Sequence, residues 1–506
     1  MELWQSTAAE IVDCIRSRDV SVTQVVKAFI DRIERTNPTI NAIVTFIPEK
    51  ALAAAAAADR RLAGGGNVRP LEGVPFTVKD VIPTKGVRST YGSLIFSNLI
   101  PDEDAISVER LKENGAILVG KSNTPEFAHD PFCNTQNAIF GTTRNPWDVN
   151  RTAGGSSGGA AAGIAAGMTP MGIGTDWGGS ARGPSAFCGT VGMRPSPGRV
   201  PVYPHETRSG FAWDFPVEHV HAPMARVVGD IGLALNALAG PDDRAPASLP
   251  REPHDYGAAA GGQVSLKGRR IAYSRDFGGV LPVDNEVAEL TRRAAARFEE
   301  LGCVVEEASP DFSELLATVA ATRAVGLVLR YGDYIKEHRD KISAPLIRQI
   351  EAALSSDLVT TARGEKMRTK LWHQVRQFFA TYHHLLSPTW GVPAFRIDSP
   401  FESKIDDVKV DNFFNCIQFT YAMSLLGLPA ISVPCGRNRD GMPVGLQVAG
   451  RRLGEVSILE AAAAYERLRG PFGSPPDPSE QTARALSDFF QSDKGWAPVS
   501  TDLRRS

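Results

Sequence analysis

Residues 152–189 read TAGGSSGGAAAGIAAGMTPMGIGTDWGGSARGPSAFCG. The segment holds two glycine–serine clusters, GGSSGG at 154–159 and GGS at 178–180. So many glycines weaken a helix or strand by about 1 kcal/mol each relative to alanine, but they suit a place where backbone N–H groups surround an anion or oxyanion. A flexible linker would be polar throughout, whereas alanine, isoleucine and methionine separate these clusters. The pattern therefore predicts a buried site in which a serine is a candidate nucleophile.

A serine hydroxyl needs a base before it can act as a nucleophile. Upstream, residues 73–80 read GVPFTVKD, which predicts a buried strand that ends on Lys79. Lysine serves as a base near neutral pH only if its pKa falls well below about 10.4, which burial and neighbouring hydrogen-bond donors achieve. A lysine at the end of an apolar strand fits that requirement.

Taken in this order, the lysine and the two serine clusters resemble the amidase signature family of serine hydrolases. The resemblance is strong over residues 71–199 and continues weakly to about residue 447. The matching motifs are GVPFTVKD at 73–80, TRNPWD at 143–148, GGSSGG at 154–159, GTDWGGSAR at 174–182 and PSAFCG at 184–189. The resemblance implies a triad of Ser180 as nucleophile, Ser156 as the serine with a cis peptide bond, and Lys79 as base.

The same resemblance implies further roles around the triad. Backbone N–H groups of Trp177, Gly178 and Gly179, with that of Ser180, are expected to form the oxyanion hole. Three side chains are expected to support the site: Asp176 and Arg182 as a charged pair that holds the nucleophile turn, and Ser157 as a hydrogen-bond partner of a catalytic serine or as a helix cap.

The substrate preference is predicted from bulky residues near the motifs. Trp177 stands where the family commonly has a smaller residue, so its indole is expected to narrow or flatten the site. Phe132, Cys133 and Trp390 lie in stretches that often line the pocket in relatives. Together these residues favour apolar or aryl amides, and carbamates (urethanes) are chemically available to the same site.

The alternation of predicted strands and helices indicates an α/β fold. The resemblance implies a single-domain α/β/α sandwich around one mixed sheet of about eleven strands. We expect that domain to span residues 1–475 and a polar tail to span 476–506. Capping boxes at Thr7–Glu10 and Ser21–Gln24 predict helices near 8–18 and 22–36. Residues 200–220 are predicted to form a loop that covers the site.

Two other catalytic or binding motifs occur in the chain. Residues 115–122 (GAILVGKS) match the P-loop pattern, but these apolar, β-prone residues favour a strand, not a bent phosphate-binding loop. Residues 155–159 match the G-x-S-x-G nucleophile elbow, with Ser157 at its centre. That alternative is an α/β-hydrolase-type esterase, and it leaves Lys79 and Ser180 without a role.

A second functional alternative lies within the resembling family. It includes the glutaminase component of the tRNA-dependent amidotransferase, its A subunit, which acts within a complex. The segment from Glu126 to Phe140, together with Trp177, is more similar to the free-standing amidases. The sequence therefore favours a free-standing amidase, aryl acylamidase or urethanase whose partner is a small-molecule amide or carbamate.

The composition of the chain limits the partners, the cellular location and the cofactors that we expect for this protein. The 506 residues carry 55 Lys plus Arg against 57 Asp plus Glu, a formal net charge of −2, which argues against nucleic-acid and membrane-surface partners. The start, MELWQ, lacks signal-peptide features, so we expect a cytoplasmic protein, monomeric or homodimeric. The six cysteines include no C-x-x-C pair, and the histidines show no zinc-binding spacing, so free thiols and neither metal nor cofactor are expected.

Overall fold

The computed structural model describes residues 2–204, 219–398, 404–406, 408–410 and 413–477. Within these ranges the strands are β1 (Ile43–Phe46), β2 (Pro75–Lys79), β3 (Ile117–Ser122), β4 (Gln136–Asn137), β5 (Gly141–Thr142), β6 (Met171–Asp176), β7 (Val191–Arg194), β8 (Val220–Ala225), β9 (Arg270–Tyr273), β10 (Val304–Glu307), β11 (His384–Pro388), β12 (Lys404–Ile405), β13 (Val408–Lys409), β14 (Ala430–Arg437) and β15 (Pro443–Gly450).

Eleven of these strands form one mixed sheet in the order β1-β3-β2-β6-β8-β7-β14-β15-β11-β9-β10. Strand β2 runs parallel to both β3 and β6, and β9 runs parallel to both β10 and β11. The strands from β6 through β8, β7, β14 and β15 to β11 pair antiparallel in succession. The predicted α/β fold around a large mixed sheet is confirmed.

The helices are α1 (Ala8–Arg16), α2 (Val22–Ile40), α3 (Pro48–Ala63), α4 (Ile106–Glu113), α5 (Gly158–Ala165), α6 (Arg182–Cys188), α7 (Val228–Leu238), α8 (Tyr256–Gly261), α9 (Asn285–Ala296), α10 (Leu315–Tyr331), α11 (Tyr334–Glu337), α12 (Ala344–Leu354), α13 (Leu358–Thr381), α14 (Phe413–Cys416), α15 (Gln418–Leu425) and α16 (Glu455–Arg469). Helix α5 packs on β2 and β6, α6 packs on β7, β14 and β15, and α10 packs against α12 and α13. In the described ranges, no helix combines the length and the apolar character needed to cross a bilayer.

The functional motifs meet because β2 and β6 are parallel neighbours. Parallel strands bring their carboxyl ends to the same edge of a sheet. Lys79 is the last residue of β2, and Asp176 is the last residue of β6. The first glycine–serine cluster leads into α5, and the second connects β6 to α6. Both clusters therefore lie at the edge where Lys79 ends its strand.

Helices with strong local signals form where the sequence predicts them. Both capping boxes are present, at Thr7–Glu10 before α1 and at Ser21–Gln24 before α2. Helix α2 continues to Ile40, four residues beyond its predicted end, with Pro38 inside it. The predicted covering loop falls largely on residues 205–218 and the predicted tail on 478–506, and both of these ranges lie outside the described residues.

Candidate active site

Lys79 is completely buried at the end of β2. Its Nζ donates hydrogen bonds to Ser156 Oγ at 2.6 Å and to Thr175 Oγ1 at 2.8 Å. The Gly155–Ser156 peptide bond is cis. Ser156 itself is only 3% exposed. The two polar groups thus face each other in a place from which bulk water is largely excluded.

Glycine is required where the serine-bearing loops approach their neighbours. A Cβ on Gly155 would lie 2.7 Å from the carbonyl oxygen of Cys133, closer than side-chain carbons approach in proteins. Gly179 has a φ of +115°, and a Cβ there would overlap the side chain of Thr420. The glycines therefore allow Ser156 and Ser180 to sit against backbone and side chains that other residues would displace.

Asp176 organises the turn that carries Ser180. Its carboxylate accepts hydrogen bonds from the backbone N–H groups of Gly179 at 2.9 Å and Ala181 at 3.3 Å, and from Arg182 Nη2 at 2.8 Å. Arg182 also donates to Gln447 Oε1 at 2.7 Å. Burial alone would raise the pKa of Asp176, but the ion pair and hydrogen bond with Arg182, the charge of Arg194 and the Gly179 N–H together outweigh it and lower this pKa to about 2. The carboxylate is therefore ionised near neutral pH.

This arrangement bears on the oxyanion role expected of Gly179, which stays a prediction. The N–H of Gly179 was predicted to face the oxyanion, yet it donates to Asp176 Oδ1. A single N–H that already serves a charged acceptor at 2.9 Å is poorly placed to stabilise a second negative charge. Gly179 thus shapes the turn and links it to Asp176.

Ser157 lies behind the catalytic serines and is completely buried. Its Oγ donates to Thr175 O and accepts from Thr175 N–H, both at 3.2 Å. Its own N–H donates to the carbonyl oxygen of Ser180 at 3.0 Å. No strand leads directly into this turn, as a nucleophile elbow requires, because residues 153–157 are irregular. The geometry supports a structural role for Ser157 and argues against the elbow.

The P-loop pattern also has a structural explanation. Its apolar positions Ile117, Leu118 and Val119 lie in the fully buried strand β3, and Ala116 directly precedes it. The lysine of the pattern, Lys121, donates hydrogen bonds to the carbonyl oxygen of Ile82 and, at 2.8 Å, to Thr84 Oγ1. Lys121 therefore satisfies the backbone of an adjacent loop inside the core, and the expected strand is present.

A cavity of about 400 Å³ opens over the catalytic edge of the sheet. Ser156, Ser180 and Gly178 line it on one side. Its aromatic lining consists of Trp177, Tyr331, Trp390, Phe414 and Tyr421, with His129 beside them. The predicted pocket residues Cys133 and Trp390 line this cavity. Phe132 is not among the residues that line it, and packs against the apolar cluster that contains Trp147, Phe187 and Trp390.

Trp177 is held between cationic and aromatic neighbours. The guanidinium carbons of Arg330 and Arg323 lie 4.8 and 5.7 Å from the centre of its ring system. The ring of His129 meets the indole edge-on at 5.4 Å. Burial, reinforced by the charge of Arg323, lowers the pKa of His129 to about 3, so this imidazole is neutral near pH 7.

Several residues of the site lack a sequence signal. Thr175, the second partner of Lys79, belongs to a strand and resembles an ordinary β-branched strand residue. Arg323 and Arg330 come from α10, and Arg348 comes from α12. Charged residues on a helix are usually solvated, so only the folded chain shows that these three face the cavity.

Comparison with known proteins decides the family. A sequence model described as Amidase matches residues 24–459. This chain belongs to the amidase signature family. The amidase is 35% identical over 471 residues to an acylamidase from Rhodococcus erythropolis, and the match covers 92% of this chain and 96% of the relative. It is 34% identical to the A subunit of the glutamyl-tRNA(Gln) amidotransferase from Heliobacterium modesticaldum, covering 94% of this chain and 99% of the relative.

The fold of this amidase has a solved counterpart. A crystal structure of a bacterial aryl acylamidase of the same family superposes with a TM-score of 0.85 at 31% identity, covering 94% of this chain and 98% of that chain. The protein is therefore a hydrolase of carbon–nitrogen bonds.

Its six cysteines are free thiols. Among the described residues, no three His, Cys, Asp or Glu side chains group closely enough to hold a metal ion.

Proposed function

We propose that this amidase hydrolyses amides with an apolar or aryl arm, and the corresponding carbamates, through an acyl-enzyme formed on Ser180. One observation carries the proposal: the buried Lys79 Nζ lies 2.6 Å from Ser156 Oγ, beside the cavity that Ser180 also lines. A buried amine favours its neutral form, which is the form that can accept a proton. Lys79 is accordingly assigned as the base, and Ser156 as the group that carries protons between Lys79 and the reacting atoms.

The first half-reaction acylates Ser180. Neutral Lys79 accepts the proton of Ser156 while Ser156 accepts that of Ser180, whose oxygen attacks the substrate carbonyl. We assign stabilisation of the resulting oxyanion to the backbone N–H groups of Gly178 and Ser180, and the role predicted for the Trp177 N–H stays a prediction. The tetrahedral intermediate then collapses as Ser156 delivers a proton to the leaving nitrogen and regains one from protonated Lys79, because an amide anion is too basic to depart.

The second half-reaction releases the acid. Water gives its proton through Ser156 to Lys79 as its oxygen attacks the acyl carbonyl, and Ser180 leaves with a proton returned by Ser156. A carbamate differs from an amide only in the alkoxy group on its acyl side, so the same relay serves both. The amine leaves first, and water then releases a carbonic acid monoester, which decomposes to the alcohol and carbon dioxide.

The substrate class is supported by the lining of the cavity. Trp177 and Trp390 line the cavity that Ser180 also lines. Burying an aryl ring against them contributes on the order of 2 kcal/mol, or about thirtyfold in specificity when the contact persists in the transition state. The similarity to an acylamidase and to an aryl acylamidase structure supports the same class.

Active-site labelling combined with a substrate panel tests this function. A fluorophosphonate should modify Ser180, and Ser180→Ala should lose both labelling and turnover while keeping the native circular dichroism spectrum. The panel compares acetanilides, carbanilates, short aliphatic amides and glutamine by kcat/KM. Labelling at Ser157, or a preference for glutamine or aliphatic amides, would overturn the assignment.

A second candidate is the glutaminase component of a tRNA-dependent amidotransferase. The observation that favours it is the 34% identity to the A subunit of the Heliobacterium modesticaldum amidotransferase over nearly the full length of both chains. Such a protein would release ammonia from glutamine and would be recovered with partner subunits. Glutamine turnover together with copurifying partners would support this candidate over a free-standing amidase.

A further inference from the structure

A second cavity, of about 410 Å³, is lined by α3, the start of β3 and the segments next to them. It shares no lining residue with the catalytic cavity. Ile117 begins β3 and pairs with Pro75 at the start of β2, whereas Lys79 pairs with Ser122 at the other end of both strands. This cavity, which we call the α3 groove, is therefore separate from the proposed catalytic site.

The lining of the α3 groove combines apolar and basic side chains. Among the described residues that line it, none is acidic. The basic residues are Lys50, Arg61, Arg69, Lys85 and Lys112. Every other lining residue is an alanine, valine, isoleucine or leucine. Such a lining fits a ligand that joins an apolar part to a negative charge.

One face of α3 sets the length of the groove. Lys50, Ala54, Ala57 and Arg61 follow the spacing i, i+4, i+7 and i+11, which places them along one side of the helix. At 1.5 Å per residue, the helix separates Lys50 from Arg61 by about 16 Å. Ala54 and Ala57 lie between them and are exposed. Their short side chains leave space for an extended apolar chain.

Three lysines meet at the end of the groove near Gly86. Lys50 Nζ donates a hydrogen bond to the carbonyl oxygen of Gly86 at 2.6 Å. The backbone N–H of Lys85 and the Nζ of Lys112 both donate to Asp104 Oδ1, at 2.8 and 3.0 Å. Lys50 and Lys85 are exposed. Because each ammonium group has three N–H donors, the lysine end keeps donors for an anionic group.

The two arginines at the other end contact a carboxylate of the protein. Arg69 Nε and Nη2 donate to the two carboxylate oxygens of Glu72 at 3.0 and 3.1 Å, and Arg61 bonds the same carboxylate. Arg61 also donates to the carbonyl oxygen of Asn67 at 2.6 Å. Glu72 is completely buried. These contacts hold both guanidiniums in place, so the lysine end is the better site for a ligand anion.

We propose that the α3 groove binds a small anion with an apolar chain, such as a long-chain carboxylate. Its charged group lies at the lysine end, and its chain lies along Ala54 and Ala57. Each methylene group that leaves water strengthens binding by up to about fourfold, and hydrogen bonds from ammonium groups to a carboxylate are among the stronger ones. The volume lies within the range of about 300–1,000 Å³ that small-molecule sites occupy. The site does not depend on the proposed reaction.

Matched ligands test whether both features are needed. Calorimetric titration of the full chain compares decanoate with decan-1-ol, which lacks the charge, and with acetate, which lacks the chain. We expect decanoate to bind about tenfold or more tightly than decan-1-ol, as for hydrogen bonds to a charged group. Acetate should show no binding at the same concentrations, and added salt should weaken decanoate more than decan-1-ol. Equal affinity for decanoate and decan-1-ol would contradict the proposal.

Lysine variants locate the anion. Lys50→Gln and Lys85→Gln should each weaken decanoate binding several-fold and change decan-1-ol binding by less than about twofold. Lys27→Gln is the matched control, because Lys27 is exposed on α2 and does not line the groove. Unchanged decanoate affinity in both groove variants would place its binding elsewhere, such as in the catalytic cavity, and would overturn the proposal.

A variant of the apolar surface locates the chain. Ala57→Leu fills part of the groove and should weaken decanoate and decan-1-ol alike, by several-fold. Ala63→Leu is the control, because Ala63 is exposed at the end of α3 and does not line the groove. Circular dichroism checks that each variant is folded.

Photolabelling with a diazirine derivative of decanoate gives an independent location. The label should map to α3 or to residues 116–118. A label confined to residues of the catalytic cavity would overturn the proposal and leave the proposed reaction standing. Binding to anionic lipid vesicles with none to dissolved decanoate would assign the basic residues to a membrane surface and would also overturn the proposal.

Discussion

The backbone N–H of Ser157 donates a hydrogen bond to the carbonyl oxygen of Ser180 at 3.0 Å, and this contact joins the two glycine–serine clusters. The Ser157 side chain continues the connection, because its Oγ exchanges hydrogen bonds with the backbone of Thr175. Thr175 in turn contacts Lys79. Ser157, which does not line the cavity, therefore connects the segments that carry Ser156, Ser180 and Lys79 through hydrogen bonds.

Replacing Ser157 by alanine should weaken this connection without removing the nucleophile. Loss of two buried hydrogen bonds should lower the free energy of unfolding by about 1–2 kcal/mol, measured by urea denaturation. Ser185→Ala is the control, since Ser185 Oγ is buried without a hydrogen-bond partner among the described residues. Fluorophosphonate should still label Ser180 in Ser157→Ala. Complete loss of labelling would instead favour Ser157 as nucleophile.

Lys79→Met should slow amide hydrolysis far more than hydrolysis of an activated ester. A good leaving group does not need a proton from Ser156, whereas an amine does, so general acid–base catalysis worth about 10²–10⁴-fold is lost mainly for the amide. The measurement is the ratio of kcat/KM for acetanilide and 4-nitrophenyl acetate.

Lys121→Met serves as the control for Lys79→Met. Lys121 is also completely buried, and it bonds Thr84, not a catalytic serine. Its replacement should leave the amide-to-ester ratio unchanged even if stability falls. Equal losses of both rates in Lys79→Met would argue against proton delivery by the relay.

Asp176→Asn should destabilise the fold and remove one source of acid sensitivity. Breaking a buried ion pair leaves the Arg182 charge without its partner and costs about 3–5 kcal/mol. Because the folded pKa of Asp176, about 2, lies below its unfolded value, the ion pair stabilises the protein above about pH 4. That contribution, about 2 kcal/mol, is lost as the pH falls from about 4 to 2.

Unfolding curves recorded from pH 2 to 7 check the Asp176 prediction. The native protein should lose stability more steeply than Asp176→Asn in the acid range. A variant as stable as the native protein at pH 7 would show that the pair does not hold the turn.

Trp177→Ala should reduce the preference for aryl amides. Loss of the indole removes apolar lining from the cavity that Ser180 also lines, so kcat/KM for acetanilide relative to a short aliphatic amide should fall about tenfold or more. Trp147→Phe is the control, because Trp147 packs against Phe472 away from the cavity. If the aryl preference persists in Trp177→Ala, other residues that line the cavity must cause it.

The sequence predicted those parts of the fold that depend on residues close together along the chain. Capping boxes place α1 and α2, since a side chain three residues away satisfies each helix start. Helix α13 was not predicted, although it spans 24 residues. It buries only Gly364, Leu371 and Val375, so its apolar spacing is too sparse to indicate a helix.

The sequence by itself determined the family and the order of the lysine and serine motifs, because these are contiguous stretches whose glycines, serines and strand-terminal lysine have few other uses. Tertiary structure alone decided where the Gly179 N–H points and that Phe132 packs outside the cavity. It also decided that Arg323 and Arg348 reach a site built around Ser180, over 140 residues earlier. Such placements follow from packing between distant segments, and no local pattern of residues records which helix face meets which loop.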